Sequence, residues 1–176
     1  MSWLKRNLVV LIAGAAALLA GGWLGWVRLQ PAAPTQMETL WNAQFSDLAG
    51  KPFSLSAMKG EPLIVNFWAT WCGPCKEEMP DFQKLASSDL GKRMQIVGIG
   101  IDNAANMQAF ANKLGITYKL LDGGPTSLDL LKTLGNQVGG LPFTLVFDVN
   151  GKVVKSHLGK ITYDELQDAS KRALGM

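Results

Sequence analysis

Hydrophobic positions in this chain change their spacing several times, and each change marks a predicted element. Leu8 to Val27 carries no charged residue, and an apolar run of about 20 residues is enough for a helix to cross the hydrocarbon core of a bilayer. A small hairpin is predicted around Phe45 to Leu55, turning at Ala49-Gly50. Pro62 to Trp68, PLIVNFW, is continuously apolar except for Asn66 and reads as a strand buried on both faces. Gly73 to about Ser88 reads as helix, and Gln95 to Ile101 as a second buried strand. Met107, Phe110, Ala111 and Leu114 then recur at helical spacing, and a short helix fits Ser127 to Leu134, stopped by Gly135. Phe143 to Asp148 and Lys152 to His157 flank Asn150-Gly151, a strong hairpin signal. The last helix opens with Thr162 and Glu165 at capping-box spacing and directs Leu166, Ala169, Ala173 and Leu174 inward. The pattern is βαβ, then a hairpin, then a helix: an α/β fold with a mixed sheet between helices.

The N-terminal 30 residues stand apart. Lys5 and Arg6 precede the apolar run, and Trp3 at one end with Trp23 and Trp26 at the other suit the two membrane interfaces. Ala13, Ala15, Ala17 and Ala20 offer sites for signal cleavage, but a cut there leaves Trp23, Leu24, Trp26 and Val27 exposed at a new terminus. Residues 1–30 are therefore read as an uncleaved anchor, with Lys5 and Arg6 on the inner side and the rest of the chain sent outward. Residues 31–40, rich in Pro, Ala and Gln, are read as a linker, and residues 41–176 as one domain.

Charge sharpens this division. Three of the 17 Lys and Arg residues and none of the 14 Asp and Glu fall within residues 1–30, so the remainder is formally neutral. A neutral domain does not call for nucleic acid, which is recognised through basic patches. No cysteine lies near the anchor, which excludes lipid attachment through a thiol. A compartment beyond the membrane permits disulfides.

The only two cysteines, Cys72 and Cys75, sit in WATWCGPCKEEMP. As a structural staple they are poorly spaced: closing so short a loop stabilises by ~2 kcal/mol, against ~4.7 for a loop of 100 residues. Zinc needs three or four protein ligands, and beyond these thiols the chain offers only His157, read as a solvated imidazole at a strand end. A two-thiolate Cu(I) site stays open. Redox chemistry accounts for more of the stretch. Cys72 follows a buried strand and precedes a helix whose first turn holds Pro74, so the helix N–H groups and dipole favour a thiolate. Cys72 is expected to be an exposed attacker and Cys75, one turn in, a buried resolver. Glu78 shares the face of Cys75. It is either a solvated acid or the group that takes the Cys75 proton, and spacing alone leaves the two open. Lys76 and Glu77 are expected at the surface, and Pro80 is expected to kink the helix. Trp68 is read as packing, and Trp71 as packing or as a contact surface beside the cysteines.

Cys-x-x-Cys near a βαβ unit is the signature for which thioredoxin is the standard example, and WCGPCK matches the thioredoxin active-site motif letter for letter. The chain resembles the thioredoxin superfamily over roughly Phe45 to Leu174. Within it, VNFWATWCGPCKEEMP, FSDLAGKPFSLSAMKG and the extra segment Asn103 to Leu134 resemble the membrane-anchored, periplasm-facing branch of TlpA, ResA and the cytochrome c maturation thioredoxins. The resemblance implies a thioredoxin-like fold with an N-terminal β-hairpin and a central insertion, preceded by one transmembrane helix. Asn66 stands where thioredoxin has a buried Asp, and Glu78 matches the acid that this branch places after its second cysteine. GGLPFTLVFD, Gly139 to Asp148, resembles the loop carrying the family's cis-proline, which implies a cis Leu141-Pro142 bond presenting the Leu141 backbone to an extended partner. Catalytic candidates are Cys72, Cys75, Glu78 and Pro142; partner-contact candidates are Trp71, Gly73, Pro74 and Leu141.

The implied activity is thiol–disulfide exchange at the periplasmic face of the inner membrane. It uses the Cys72–Cys75 pair, no dissociable cofactor and no resident metal. Protein disulfides are the expected substrates, and a membrane thiol reductase the expected electron donor. Gly73 and Pro74 resemble reducing thioredoxins, while a disulfide oxidase or isomerase of secreted proteins and a copper-handling module are the rival readings. Thiol peroxidase activity is disfavoured, because no group that would activate Cys72 towards peroxide is evident nearby.

Overall fold

The computed structural model describes residues 3–29, 34–124 and 127–176, with side chains in the first helix at residues 7, 11–27 and 29. Residues 31–33 of the expected linker, Pro125 and Thr126 of the expected insertion, and the side chains of Trp3, Lys5 and Arg6 lie outside the described residues. Two compact units emerge, Met1–Ala33 and Pro34–Met176. The first contains helix α1, Trp3–Leu29. Among the described residues no helix is long and apolar enough to cross a membrane, the unbroken run of described side chains in α1 being residues 11–27.

The second unit is built on a seven-stranded mixed sheet in the order β2-β1-β5-β4-β3-β6-β7. Its centre is β3 (Leu63–Trp68), parallel to β4 (Gln95–Gly100), which is in turn parallel to β5 (Lys119–Asp122). On the other side β6 (Phe143–Phe147) runs antiparallel to β3 and carries β7 (Val153–Leu158). The predicted N-terminal hairpin is β1 (Phe45–Asp47) and β2 (Pro52–Phe53), attached antiparallel to β5. Asp47 fixes its turn by accepting the N–H groups of Ala49 and Lys51 at 3.0 and 2.9 Å.

Every residue of β3 is buried because both faces of the sheet are covered. Strand alternation sends Ile64 and Trp68 to one face and Leu63, Val65 and Phe67 to the other. The first face packs on α3 (Gly73–Ser87), α4 (Ala104–Leu114) and α6 (Tyr163–Ala173) through Met79, Phe82, Met107, Leu166 and Ala169. Close approach of α4 needs Gly100, since a Cβ there would overlap the Met107 sulfur. The second face packs on α2 (Gln36–Asn42), α5 (Ser127–Thr133) and the turn Leu55–Met58.

Three expectations change. The linker expected over residues 31–40 is helical from Gln36, because Thr35 and Glu38 form a capping box and Met37 and Leu40 find apolar partners on the second face. Segment 103–134, expected as an insertion, supplies α4, β5 and α5, and β5 is a full member of the sheet. Four residues with one buried pair, Leu120 and Leu121, are too few to show periodicity in the sequence. Leu114, expected to face inward, ends α4 in an exposed position, one residue before the left-handed Gly115 that stops the helix. By contrast α3 continues through Pro80 to Ser87.

If α2 belongs to the cooperative unit, Leu40→Ala, at a site with no accessible surface, destabilises the protein by about 3 kcal/mol. Thr35→Ala, which removes the cap, costs about 1 kcal/mol. Urea unfolding measures both, and two changes near zero would return this segment to the linker.

Candidate active site

Parallel strand β3 ends at Trp68 and, after four intervening residues, the chain turns into α3 at Gly73. Cys72 is the N-cap of that helix, with extended backbone, and its Sγ accepts the Cys75 N–H at 3.3 Å. Pro74 in the first turn costs no hydrogen bond. A sulfur therefore occupies the place of the usual capping oxygen, where free N–H groups and the helix dipole favour negative charge. Thr70, two residues before Cys72, donates to the Asp102 carboxylate just beyond β4 and so ties the turn to the sheet. Burial works against the Asp102 charge, but the hydrogen bonds from Thr70, the Asn103 N–H and Asn106 hold its carboxyl below the usual carboxylate range.

The two sulfurs are joined as a Cys72–Cys75 disulfide. Cys75 has no accessible surface and Cys72 only 6%. The expected exposed attacker is thus nearly covered, because its sulfur is bonded to that of the buried cysteine and folds over the helix mouth. Exposure lies instead in the residues around it: Trp71 is 67% accessible, and Gly73 and Pro74 are exposed. Leu141 is half-buried, touches the apolar cluster that contains both cysteines, and precedes a cis peptide bond to buried Pro142. Register places that bond correctly. Phe143 pairs with Phe67, so Pro142 lies at the end of β3 from which the cysteine turn departs.

Glu78 is fully buried, so it is no solvated acid. Its Oε1 accepts the Asn66 side-chain N–H at 2.7 Å and its Oε2 accepts the Ile161 N–H at 2.9 Å. Asn66 also donates to Thr144 Oγ1 at 3.1 Å, the two residues being paired across β3 and β6. Burial raises the Glu78 pKa to about 7 against the opposing pull of these hydrogen bonds and of Lys160. Burial, and next the Glu78 charge, likewise push the Tyr118 phenol well up; its hydroxyl has no partner. Glu77, exposed as expected, is ion-paired to Lys160 at 2.8 Å.

Sequence reasoning missed Thr144, Lys160 and Ile161. A polar residue at a matching position in each of two apolar strands, Asn66 in LIVNFW and Thr144 in FTLVF, was a usable signal for the first. The Ile161 contact is a main-chain one and leaves no signal. His157, read as solvated, is half-buried and bonded through Nε2 to the Lys160 carbonyl at 3.1 Å. Among the described residues no group of three or more His, Cys, Asp and Glu side chains is arranged to hold a metal ion.

The chain is similar to several known proteins. The redoxin family profile matches residues 35–171. The thiol-disulfide oxidoreductase ResA of Bacillus thuringiensis (strain Al Hakam) is 32% identical over 133 residues, 74% of each chain. A thioredoxin-related protein from Neisseria meningitidis serogroup B shares 34% identity at a TM-score of 0.66, covering 75% of this chain and 99% of its own. A thiol:disulfide interchange protein of the thioredoxin family from Chlorobium tepidum TLS shares 28% at 0.67, covering 83% and 100%. On the breadth of these matches, the chain belongs to the redoxin family: it is a ResA/TlpA-like thiol–disulfide oxidoreductase of the thioredoxin superfamily, with Cys72–Cys75 as its redox-active disulfide.

Proposed function

We propose that the protein reduces disulfides of partner proteins outside the cytosol, tethered to the inner membrane by its N-terminal segment. The observation that carries this reading is the sealed Glu78 carboxyl, poised near neutrality three residues after Cys75. In the reduced protein the Cys72 thiolate, stabilised at the mouth of α3, attacks one sulfur of a partner disulfide. That S–S bond breaks, a Cys72–partner bond forms, and one partner sulfur leaves as thiolate. Cys75 then gives its proton to the Glu78 carboxylate and attacks the Cys72 sulfur. The second partner sulfur leaves, and Cys72–Cys75 is left oxidised, two electrons having passed to the partner. The partner segment lies extended against Leu141 and cis-Pro142, beside the exposed Trp71, Gly73 and Pro74. A membrane thiol reductase restores the dithiol.

Gly73-Pro74 between the cysteines, which resembles reducing thioredoxins, supports the reducing direction. The apolar run Leu8 to Val27 and its tryptophans support the tether. Apocytochrome c, a copper-site protein and a general repair substrate are all open as the partner.

Equilibration with glutathione tests the direction: a reductant has a potential below about −200 mV, whereas a value near −120 mV would make the protein an oxidant. Glu78→Gln should slow release of the reduced partner by about 100-fold and flatten the rise in that rate as pH passes through neutrality; an unchanged profile removes Glu78 from the mechanism. A further expectation concerns stability. Folding raises the Glu78 pKa from its ordinary value of 4.5 to about 7, so between those values the folded state binds the extra proton. The protein therefore loses stability as pH rises from about 4.5 to 7, by roughly 3 kcal/mol. Denaturant titrations at pH 4.5 and 8 should show this loss in the parent and not in Glu78→Gln.

A further inference from the structure

The Lys160–Ile161 peptide group is held at both ends. Its N–H donates to Glu78 Oε2 at 2.9 Å, and its C=O lies 3.1 Å from His157 Nε2. A carbonyl oxygen only accepts, so His157 Nε2 carries the proton in this contact. The Lys160 side chain adds a third attachment, the 2.8 Å ion pair to Glu77, the residue next to Glu78 on α3. Residues 160 and 161 thus grip residues 77 and 78, 83 positions away in the chain. A peptide group is planar and rigid, so orienting its carbonyl orients its N–H.

We propose that His157 and Lys160 are positioning residues for Glu78, acting through this one peptide group to hold its N–H on the carboxyl. The function of that control rests on Glu78 being the acceptor of the Cys75 proton; the control itself does not. Strand pairing accounts for how His157 comes to be there. It lies opposite Thr144, the partner of Asn66, so the β3–β6–β7 pairing puts it in one row with the side chain that donates to the carboxyl. Hydrogen bonds through a peptide group polarise one another, and donation to the carbonyl strengthens the N–H as a donor to the carboxylate. Without the His157 bond or the Lys160 pair the peptide turns more freely, the carboxylate loses support, and Glu78 holds its proton to higher pH.

Other charged or titratable groups also face this carboxyl and must be accounted for. Asp81 on α3 opposes its charge, Lys160 favours it, and the Tyr118 phenol stays protonated beside it. The cysteines share its helix. His157 itself faces Glu165 of α6, which is paired to Lys155 of β7 at 3.4 Å. A substitution at His157 therefore changes a charge environment as well as a hydrogen bond, and the test has to separate the two.

The experiment is a titration of the Glu78 side-chain carboxyl by carbon NMR in the full chain, before any activity is measured. His157→Ala and Lys160→Met should each move its midpoint upward by about half a pH unit or more, a roughly threefold change in proton affinity. His157→Gln, neutral but able to donate to the same carbonyl, should restore the parental midpoint, as should Lys160→Arg. A midpoint unmoved in His157→Ala, in a protein whose amide spectra show the parental fold, overturns the proposal, because the Lys160→Met shift includes the direct loss of the lysine charge. So does a His157→Gln midpoint that matches His157→Ala, since charge alone would then explain the shift. The pH profile of partner release is read separately. If the carboxyl titration moves and that profile does not, the positioning stands and the catalytic reading of Glu78 fails.

Discussion

A helix cannot satisfy its first N–H groups from within, and in this protein a sulfur satisfies one of them. Cys72 Sγ caps the Cys75 N–H at the start of α3, and much of the architecture serves to keep that junction in place. The buried parallel strand β3 delivers the turn, Thr70 ties it to Asp102, and cis-Pro142 closes the adjacent end of β6. The same unsatisfied donors that make a helix end a binding place for anions here meet an ionisable group covalently attached to the helix. Where the chain turns thus sets the electrostatic surroundings of the Cys72 sulfur.

One turn deeper the physics reverses. The helix mouth favours charge, whereas the site of Glu78 penalises it, and the carboxyl is tolerated because one donor is aimed at each of its oxygens. Asn66 comes from β3, Ile161 from the segment between β7 and α6, and Thr144 steadies Asn66 from β6. This short stretch of α3 therefore joins a helix mouth that favours negative charge to a carboxyl that ionises reluctantly. A carboxyl whose pKa has risen towards neutrality is a closer match for a thiol proton than an unperturbed glutamate.

Local features were legible in the sequence, and features set by long-range packing were less so. Cys72, Pro74 and Cys75 announced a helix mouth because their spacing is itself the mechanism. Thr162 with Glu165 announced α6 by the same local logic, and Asn150-Gly151 announced the β6–β7 turn. The helix α2 was hidden by the prolines before it, although Thr35 and Glu38 spelled a capping box in plain view. Strand β5 was hidden by its brevity. The burial of Glu78 was legible only as one of two alternatives, since helical spacing fixes a face but not what covers it. What covers it is a main-chain group 83 residues away, and backbone donors have no letter in the sequence.

The absence of any accessible surface on Glu78 has a kinetic consequence. A titratable group sealed from water trades protons with the bulk only during excursions in which the fold opens. Its ionisation state therefore lags behind the medium by the waiting time for such an excursion. On shorter timescales the interior reflects the acidity it last sampled, so the molecule carries a brief record of its recent surroundings.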